Sequence, residues 1–190
     1  LNGIDIRKYR YDEYMDIFSV VFQDFKLFAL PLGQNVATAQ HYDVARAADC
    51  LQKAGFSDRL ARMPKGLDTC LYKDLDEDGV TISGGEAQKI AIARALYKDA
   101  PFIVLDEPTA ALDPVAEAEI YAKFNEIAGD KTAIYISHRL SSCKFCDEIA
   151  VFDHGEVVQQ GTHEELLGEP DGKYYELWNA QAQYYTEESA

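Results

Sequence analysis

Two adjacent carboxylates follow an apolar run in this 190-residue chain. The run, Phe102 to Leu105, predicts a buried strand, and Asp106 and Glu107 come where that strand leaves the sheet. Open α/β sheets bind ligands at the carboxyl edge of their strands. The oxygens of Asp106 suit Mg²⁺ as ligands, and Glu107 would lie where a carboxylate polarises an attacking water. A strand that ends in two solvated acids is the competing interpretation.

A serine and two glycines precede a helix predicted over Ala87 to Tyr97. Ser83 is a good N-cap residue, and Gly84 and Gly85 leave the backbone N–H groups uncovered by side chains. The helix dipole adds about half a positive charge there, so the pattern predicts an anion site suited to a terminal phosphate. Glu86 brings a negative charge, which we expect either to weaken anion binding or to point to solvent. A plain glycine-containing helix start is the alternative.

Two further polar side chains follow predicted strands. Gln23 comes directly after the strand Ile17 to Phe22, and a neutral amide there is suited to ligating Mg²⁺ or orienting water. His138 follows the strand Thr132 to Ile136, and an imidazole can donate a hydrogen bond to a phosphate oxygen. Taken singly, a surface glutamine or a histidine at a strand end more often has no such role.

The elements that must position these side chains alternate between strands and helices. The segment Pro114 to Ala128 starts with a proline in the first helical turn and is followed by Gly129, which predicts a helix. It separates the strands Phe102 to Leu105 and Thr132 to Ile136. A strand, a helix and a strand in this order predict a right-handed crossover and a parallel sheet, and hence an α/β fold.

The middle of the chain differs because it is alanine-rich and poor in β-branched residues, with its clearest helix over Asp43 to Ala54. We therefore predict a helical subdomain at residues 34–98, inserted into an α/β core formed by residues 1–33 and 99–172. Residues 173–190 complete the chain as an aromatic helix and tail. We expect the aromatic side chains of this helix to pack on the sheet or on a neighbouring domain.

Two local patterns lie near the end of the second core segment, residues 99–172. The runs Ile149 to Phe152 and Glu156 to Gln160 flank Asp153-His154-Gly155, which predicts a β-hairpin. Thr162 and Glu165 have the spacing of a capping box at the start of a helix.

The net charge of the chain limits the classes of molecule that it is expected to bind. There are 18 Lys and Arg residues against 33 Asp and Glu, so the formal net charge is −15. Such a field repels phosphate backbones and anionic lipid, which argues against general nucleic-acid or membrane-surface binding. No apolar run approaches the roughly 18 residues that a membrane span needs. The chain begins with Leu rather than Met, and we expect it to be part of a longer natural chain.

Four cysteines are too few for a disulfide scaffold in a chain of this size, which favours a reducing compartment. Cys143 and Cys146 have C-x-x-C spacing, but neither a second pair nor a histidine cluster accompanies them. We expect structural thiols, with redox chemistry and metal binding as weaker alternatives.

The order of the four chemical patterns resembles the ATP-binding cassette (ABC) ATPase family over nearly the whole chain. The resemblance implies a P-loop NTPase-like core with a mainly parallel sheet and an inserted helical subdomain. It also implies ATP and Mg²⁺ as ligands. The roles that it implies are Gln23 as the Q-loop glutamine, Ser83, Gly84, Gly85 and Glu86 as the signature motif, Asp106 as the Walker B aspartate, Glu107 as the catalytic glutamate, Asp113 as the D-loop aspartate and His138 as the switch histidine.

Three stretches resemble the exporter branch of this family: Phe22 to Phe28, Pro64 to Thr69 and Gly161 to Leu166. The resemblance implies two partners, a second ABC ATPase domain in a homodimer or heterodimer and a transmembrane domain on the same natural chain. It places the domain at the cytoplasmic face of a membrane. The alternatives are a soluble or importer-type ABC ATPase and a non-catalytic ABC-like partner subunit.

Three features depart from the family pattern. The Walker A sequence, Gly, four residues, then Gly-Lys-Ser or Gly-Lys-Thr, is absent from the printed chain, whose one Gly-Lys pair is Gly172-Lys173. In the family the P-loop and opening strands precede the segment that Leu1-Asn2-Gly3 resembles, so we expect this chain alone to be inactive. Ile82 and Glu86 replace the more usual Leu and Gln of the signature motif, and the acidic turn Asp74 to Gly79 is longer than usual.

Overall fold

The computed structural model describes residues 1–109, 112, 117, 120, 122 and 128–187. The chain separates into two compact units, Leu1–Ile136 and Ser137–Ala190. Asp113 and most of the predicted helix Pro114 to Ala128 lie outside the described residues. The predicted limits of the helical subdomain remain a prediction.

The first unit is organised around a three-stranded parallel sheet in the order β1-β2-β3. Val104 of the central strand pairs with Val20 on one side and with Ile134 on the other. The predicted parallel sheet is therefore confirmed, and all three strands end at the same edge. The strands are β1 (Phe18–Val21), β2 (Phe102–Asp106) and β3 (Thr132–Ile136).

Helices precede β1 and separate it from β2 along the chain of the first unit. Ile17, which was predicted to start β1, instead ends a short helix in the αR conformation, so the strand begins one residue later. The helix predicted to begin at Ala87 begins at Gly84, because Ser83 caps it. The helices are α1 (Tyr11–Asp16), α2 (Leu32–Ala37), α3 (Val44–Lys53), α4 (Ser57–Ala61) and α5 (Gly84–Lys98), with 3₁₀ turns at Ile6–Lys8 and Gly66–Asp68.

Helix α5 lies at the centre of the core of the first unit. Its buried residues Ile90 and Ile92 belong to one hydrophobic cluster with Val21 and Ile103 of the sheet and Leu51 of α3. Full burial of side chains of this size contributes about 1.5–3 kcal/mol each. The predicted helix over Asp43 to Ala54 is confirmed as α3, and the Asp43 carboxylate caps it by accepting from the backbone N–H of Arg46 at 3.0 Å.

A fully buried asparagine holds the chain between β1 and α2. The Oδ1 of Asn35 accepts from the backbone N–H of Phe28 at 2.9 Å. Its Nδ2 donates to the carbonyls of Phe28 at 3.0 Å and Leu30 at 3.1 Å. One side chain thus satisfies backbone groups of an irregular segment that has no ladder of its own.

Arg94 of α5 also binds main-chain carbonyls of α2 and of the region between β1 and α2. Its Nε donates to the carbonyl of Asn35 at 2.9 Å, and its Nη1 donates to the carbonyl of Lys26 at 3.1 Å. Burial lowers the pKa of this guanidinium. The segment after Gln23 is therefore fastened to α5 through polar contacts.

The second unit contains a β-hairpin and two helices. The predicted hairpin is confirmed, with His154 and Gly155 at φ of +49° and +85° in its turn, as a two-residue hairpin connection requires. The predicted capping box is also confirmed, because the Thr162 hydroxyl accepts from the Glu165 N–H and the Glu165 carboxylate accepts from the Thr162 N–H. The elements are a 3₁₀ segment (Leu140–Phe145), β4 (Ile149–Asp153), β5 (Glu156–Gly161), α6 (His163–Leu167) and α7 (Lys173–Glu187).

Aromatic residues of α7 pack within the second unit, and the expected contacts with the parallel sheet or a neighbouring domain stay a prediction. Tyr174 is fully buried, its hydroxyl lies 2.8 Å from the Nδ1 of His163, and its ring stacks on Trp178. Burial raises the pKa of Tyr174 to about 12. Burial also raises the pKa of Cys143 to about 11, so this thiol is almost entirely protonated at neutral pH and fits a structural role.

No helix within the described part of the chain is both long enough and apolar enough to cross a lipid bilayer.

We predict that Asn35→Asp lowers the free energy of unfolding by about 3 kcal/mol, since an oxygen would replace the Nδ2 donor and face buried carbonyls. Urea unfolding measures the loss. Gln34→Glu is the matched control, because it makes the same amide-to-carboxylate change at the neighbouring, less buried position and is expected to cost less than about 1 kcal/mol. Equal losses in the two variants would contradict the role given to Asn35.

We predict that Tyr174→Phe makes stability less sensitive to alkaline pH. Because the pKa of Tyr174 is raised from 10.0 to about 12, its contribution is complete below pH 10 and is lost as the pH rises through 12. The variant should therefore show a shallower fall in the free energy of unfolding between pH 10 and 12. Tyr11→Phe, at an exposed position, is the control and should keep the parental pH profile. An unchanged slope in Tyr174→Phe would refute the prediction.

Candidate functional site

The carboxyl edge of the sheet brings two of the predicted site residues into contact. Gln23 follows β1 by two residues and Glu107 follows β2 directly. The Nε2 of Gln23 donates to the Oε2 of Glu107 at 3.2 Å, although the two residues are 84 positions apart in the sequence. The two residues lie at the same edge of the sheet, and the roles that the resemblance implies for them stay predictions.

The backbone of Glu107 has an unusual conformation for a residue with a side chain. Its φ is +47°, in the left-handed region. Its N–H donates to the carbonyl of Ile136 on β3 at 3.0 Å, and its carbonyl accepts from the Nε2 of Gln88 on α5 at 3.0 Å. A non-glycine residue in this region costs about 1–3 kcal/mol and persists where surrounding contacts hold it.

Asp106 is the last residue of β2 and pairs in register with Ile136 of β3. It is half-buried, next to Glu107 in the chain and at the same sheet edge as Gln23. Its carboxylate and the amide oxygen of Gln23 are the two hard oxygen donors proposed for a metal ion. The Gln23 atom that donates to Glu107 is its nitrogen, so this contact is compatible with metal binding through its oxygen.

This donor set fits Mg²⁺ rather than an all-protein metal cage. Mg²⁺ usually keeps several waters and takes one or two protein oxygens together with substrate phosphates. Among the residues that the structure describes, no group of three or more His, Cys, Asp and Glu side chains lies close enough to hold a metal ion. Asp106 and Gln23 would therefore hold the ion jointly with phosphate oxygens.

The start of α5 is a complete capping box. The Ser83 hydroxyl accepts from the N–H of Glu86 at 3.3 Å, and the Glu86 Oε2 accepts from the N–H of Ser83 at 2.9 Å. The other Glu86 oxygen lies 2.9 Å from the Nε of Arg59 in an ion pair. The expectation that Glu86 points to solvent is wrong, because both of its oxygens are engaged within the domain.

Gly84 and Gly85 form the first turn of α5, directly after the Ser83 cap. Gly84 is exposed and Gly85 is half-buried, so the backbone of the helix start is accessible. The structure thereby supplies the helix N-terminus that the predicted anion site needs.

His138 belongs to the second unit, two residues after the end of β3. Its carbonyl accepts from the Nε2 of Gln181 on α7, and the Oε1 of the same glutamine accepts from the N–H of Leu140 at 2.9 Å. A single amide of α7 thus binds the main chain at His138 and at Leu140, two residues later. The roles that the resemblance implies for His138 and for Asp113 stay predictions.

Sequence reasoning missed Gln88 and Gln181. A signal for Gln88 was present, because it shares one helical face with the buried residues Ala91, Ile92 and Ala95. A polar side chain on such a face requires a hydrogen-bond partner. No comparable signal marks Gln181, whose partners lie about 40 residues upstream in the chain.

The chain is similar to ABC proteins over nearly its whole length. The sequence model of the family described as ABC transporter matches residues 1–110. An ATP-dependent lipid A-core flippase of Idiomarina loihiensis is 41% identical over 186 residues, which is 95% of this chain and 31% of that protein. The mitochondrial iron-sulfur clusters transporter ABCB7 of Oryzias latipes is 39% identical over 188 residues, which is 95% of this chain and 24% of that protein.

The fold has a counterpart among solved structures. A bacterial Atm1-family ABC exporter with ATP bound superposes with a TM-score of 0.85 and 36% sequence identity, over 95% of this chain and 31% of that chain. The predicted α/β fold of an ABC ATPase is confirmed. The chain spans less than a third of the length of these relatives.

Proposed function

The chain belongs to the ABC transporter family, and from this premise we propose that it is the ATP-binding and ATP-hydrolysing domain of an exporter-type transporter. The single observation that carries the proposal is the contact between Gln23 and Glu107 at the carboxyl edge of the parallel sheet. A carboxylate and a neutral amide at this edge are suited to orienting a water molecule for attack on a phosphate.

In this proposal Glu107 accepts a proton from the attacking water or aligns it with the phosphorus atom. Gln23 supports the carboxylate through its amide nitrogen, and its amide oxygen, with Asp106, would hold Mg²⁺. When bound there, Mg²⁺ would supply positive charge that neutralises the phosphate oxygens. His138 donates a hydrogen bond to a terminal phosphate oxygen, which stabilises the charge that develops there.

In this proposal the start of α5 binds the ATP that is held by a second ATPase domain. The backbone N–H groups of Gly84 and Gly85, next to the Ser83 cap, carry the positive end of the helix dipole, which attracts a terminal phosphate. We propose that they face an ATP held by the partner domain. The role of Asp113 as the D-loop aspartate is proposed from the family resemblance alone. Glu86 contributes by completing the cap that fixes this helix start, since its charge is already paired with Arg59.

The proposal of a transmembrane partner is based on the names and lengths of the related proteins. Each is named as a flippase, transporter or exporter, and this chain matches less than a third of each. We propose that the domain works at the cytoplasmic face of a membrane beside a transmembrane domain on the same natural chain. The two curated relatives are named for different cargoes, lipid A-core and iron–sulfur clusters, so similarity in this domain does not select a cargo.

We predict that Glu107→Gln in the full-length transporter lowers ATP hydrolysis at least about 100-fold while ATP still binds and closes the dimer, because the amide cannot accept a proton. Phosphate release and retention of labelled ATP measure the two effects. Glu77→Gln, in the exposed acidic turn, makes the same change away from the site and should hydrolyse ATP normally. Parental turnover in Glu107→Gln would remove this residue from the mechanism.

We also propose that the 190 residues alone bind Mg-ATP weakly, because the backbone cradle of a Gly-x₄-Gly-Lys-Ser/Thr segment is not among them. Ligand at about 100 times its dissociation constant adds about 2.7 kcal/mol, or roughly 5–11 °C in Tm for a domain of this size. Millimolar Mg-ATP should give this shift only in a version extended upstream through such a segment. A shift in the 190-residue chain would contradict the proposal.

A further inference from the structure

Gln88 is a polar residue buried in the core of the first unit. It is only 3% exposed and lies on the face of α5 that also buries Ala91, Ile92 and Ala95. A leucine or methionine would fill such a position without the cost of desolvating an amide. The presence of a glutamine at position 88 therefore needs an explanation other than core packing.

The partner of this amide is the main chain of Glu107. The Nε2 of Gln88 donates to the Glu107 carbonyl at 3.0 Å, and on the other side the Glu107 N–H donates to Ile136 at 3.0 Å. The bond from Gln88 thus falls on a site residue whose φ, at +47°, requires outside restraint.

The side chain of Glu107 takes its direction from this backbone. If the carbonyl rotated away from Gln88, φ and ψ of Glu107 would relax and its carboxylate would leave the Nε2 of Gln23, 3.2 Å away. A shift of about 1 Å in a reacting group can cost about 100-fold in rate. By restraining the main chain of Glu107, the bond from Gln88 therefore also restrains the Glu107 carboxylate.

We infer that Gln88 is a positioning residue for ATP hydrolysis, which holds the main chain of Glu107 in its left-handed conformation. This inference rests on the proposed function. Gln88 lies five residues after Ser83 on the same capped helix, about 7.5 Å along its axis. The helix that presents the signature motif to a partner domain is thus the one that fixes the catalytic glutamate of its own domain.

The test is kinetic and uses the full-length transporter. Gln88→Met keeps the length of the side chain and removes the donor, and Gln88→Glu keeps the shape but places an acceptor against the Glu107 carbonyl. Each variant should lower kcat by about 10- to 100-fold with the KM for ATP within about twofold of the parental value. Ile92→Val, which trims the same buried helix face, should destabilise the domain comparably and leave kcat unchanged.

A double-mutant comparison separates positioning from a general packing role. Gln88 acts through the Glu107 carboxylate, so Gln88→Met should not lower the residual single-turnover hydrolysis of Glu107→Gln any further. A packing role would lower hydrolysis by the same factor in both backgrounds, and that result would overturn the inference. If Gln88→Met does not fold, Gln88→Glu provides the same comparison.

The outcomes also distinguish the inference from the proposed function. A parental protein without ATP hydrolysis, or a fully active Glu107→Gln, would refute the proposed function. An active parent, an inactive Glu107→Gln and parental kcat in a folded Gln88 variant would refute the positioning role alone.

Discussion

The peptide of Glu107, held at a φ of +47° by hydrogen bonds on both sides, ties together the elements on which the site depends. Its N–H binds β3 through Ile136, its carbonyl binds α5 through Gln88, and its carboxylate accepts from Gln23 at the end of β1. Three separate elements thus determine where one carboxylate lies. Such convergence is how a strained backbone persists in a folded protein.

Helix α5 is the common support for both sides of this contact. Through Arg94 and the buried Asn35 it fastens the irregular segment after Gln23, and through Gln88 it fastens Glu107. The side chains of Asn35 and Gln88 are buried, so breaking their contacts leaves unsatisfied polar groups. The same helix begins at Ser83, in a capping box completed by Glu86. A displacement of α5 would therefore disturb the main chain of Glu107, the segment after Gln23 and the start of the helix together.

The second unit is stabilised by its own small core and its own polar contacts. Tyr174 and Leu166 pack with Ile149 and Val151, and the amide of Gln181 fixes the main chain around His138. As with Glu107, a side chain from a distant helix holds the backbone of a predicted site residue. In both cases the amide of a helix side chain binds a backbone carbonyl just beyond a strand end.

The sequence by itself determined the strands, the helix caps, the hairpin and the parallel α/β fold, because periodicity, capping and turn chemistry depend on residues a few positions apart. It also identified Gln23, Asp106, Glu107 and the start of α5 as candidates. Only the tertiary structure decided how Glu107 is held, where Glu86 points and what Asn35 binds. The contacts of Glu107 join residues 19 and 84 positions apart, and the bond from Arg94 to the Asn35 carbonyl joins residues 59 positions apart. They depend on how α5 packs against the sheet, a relation that no local pattern records.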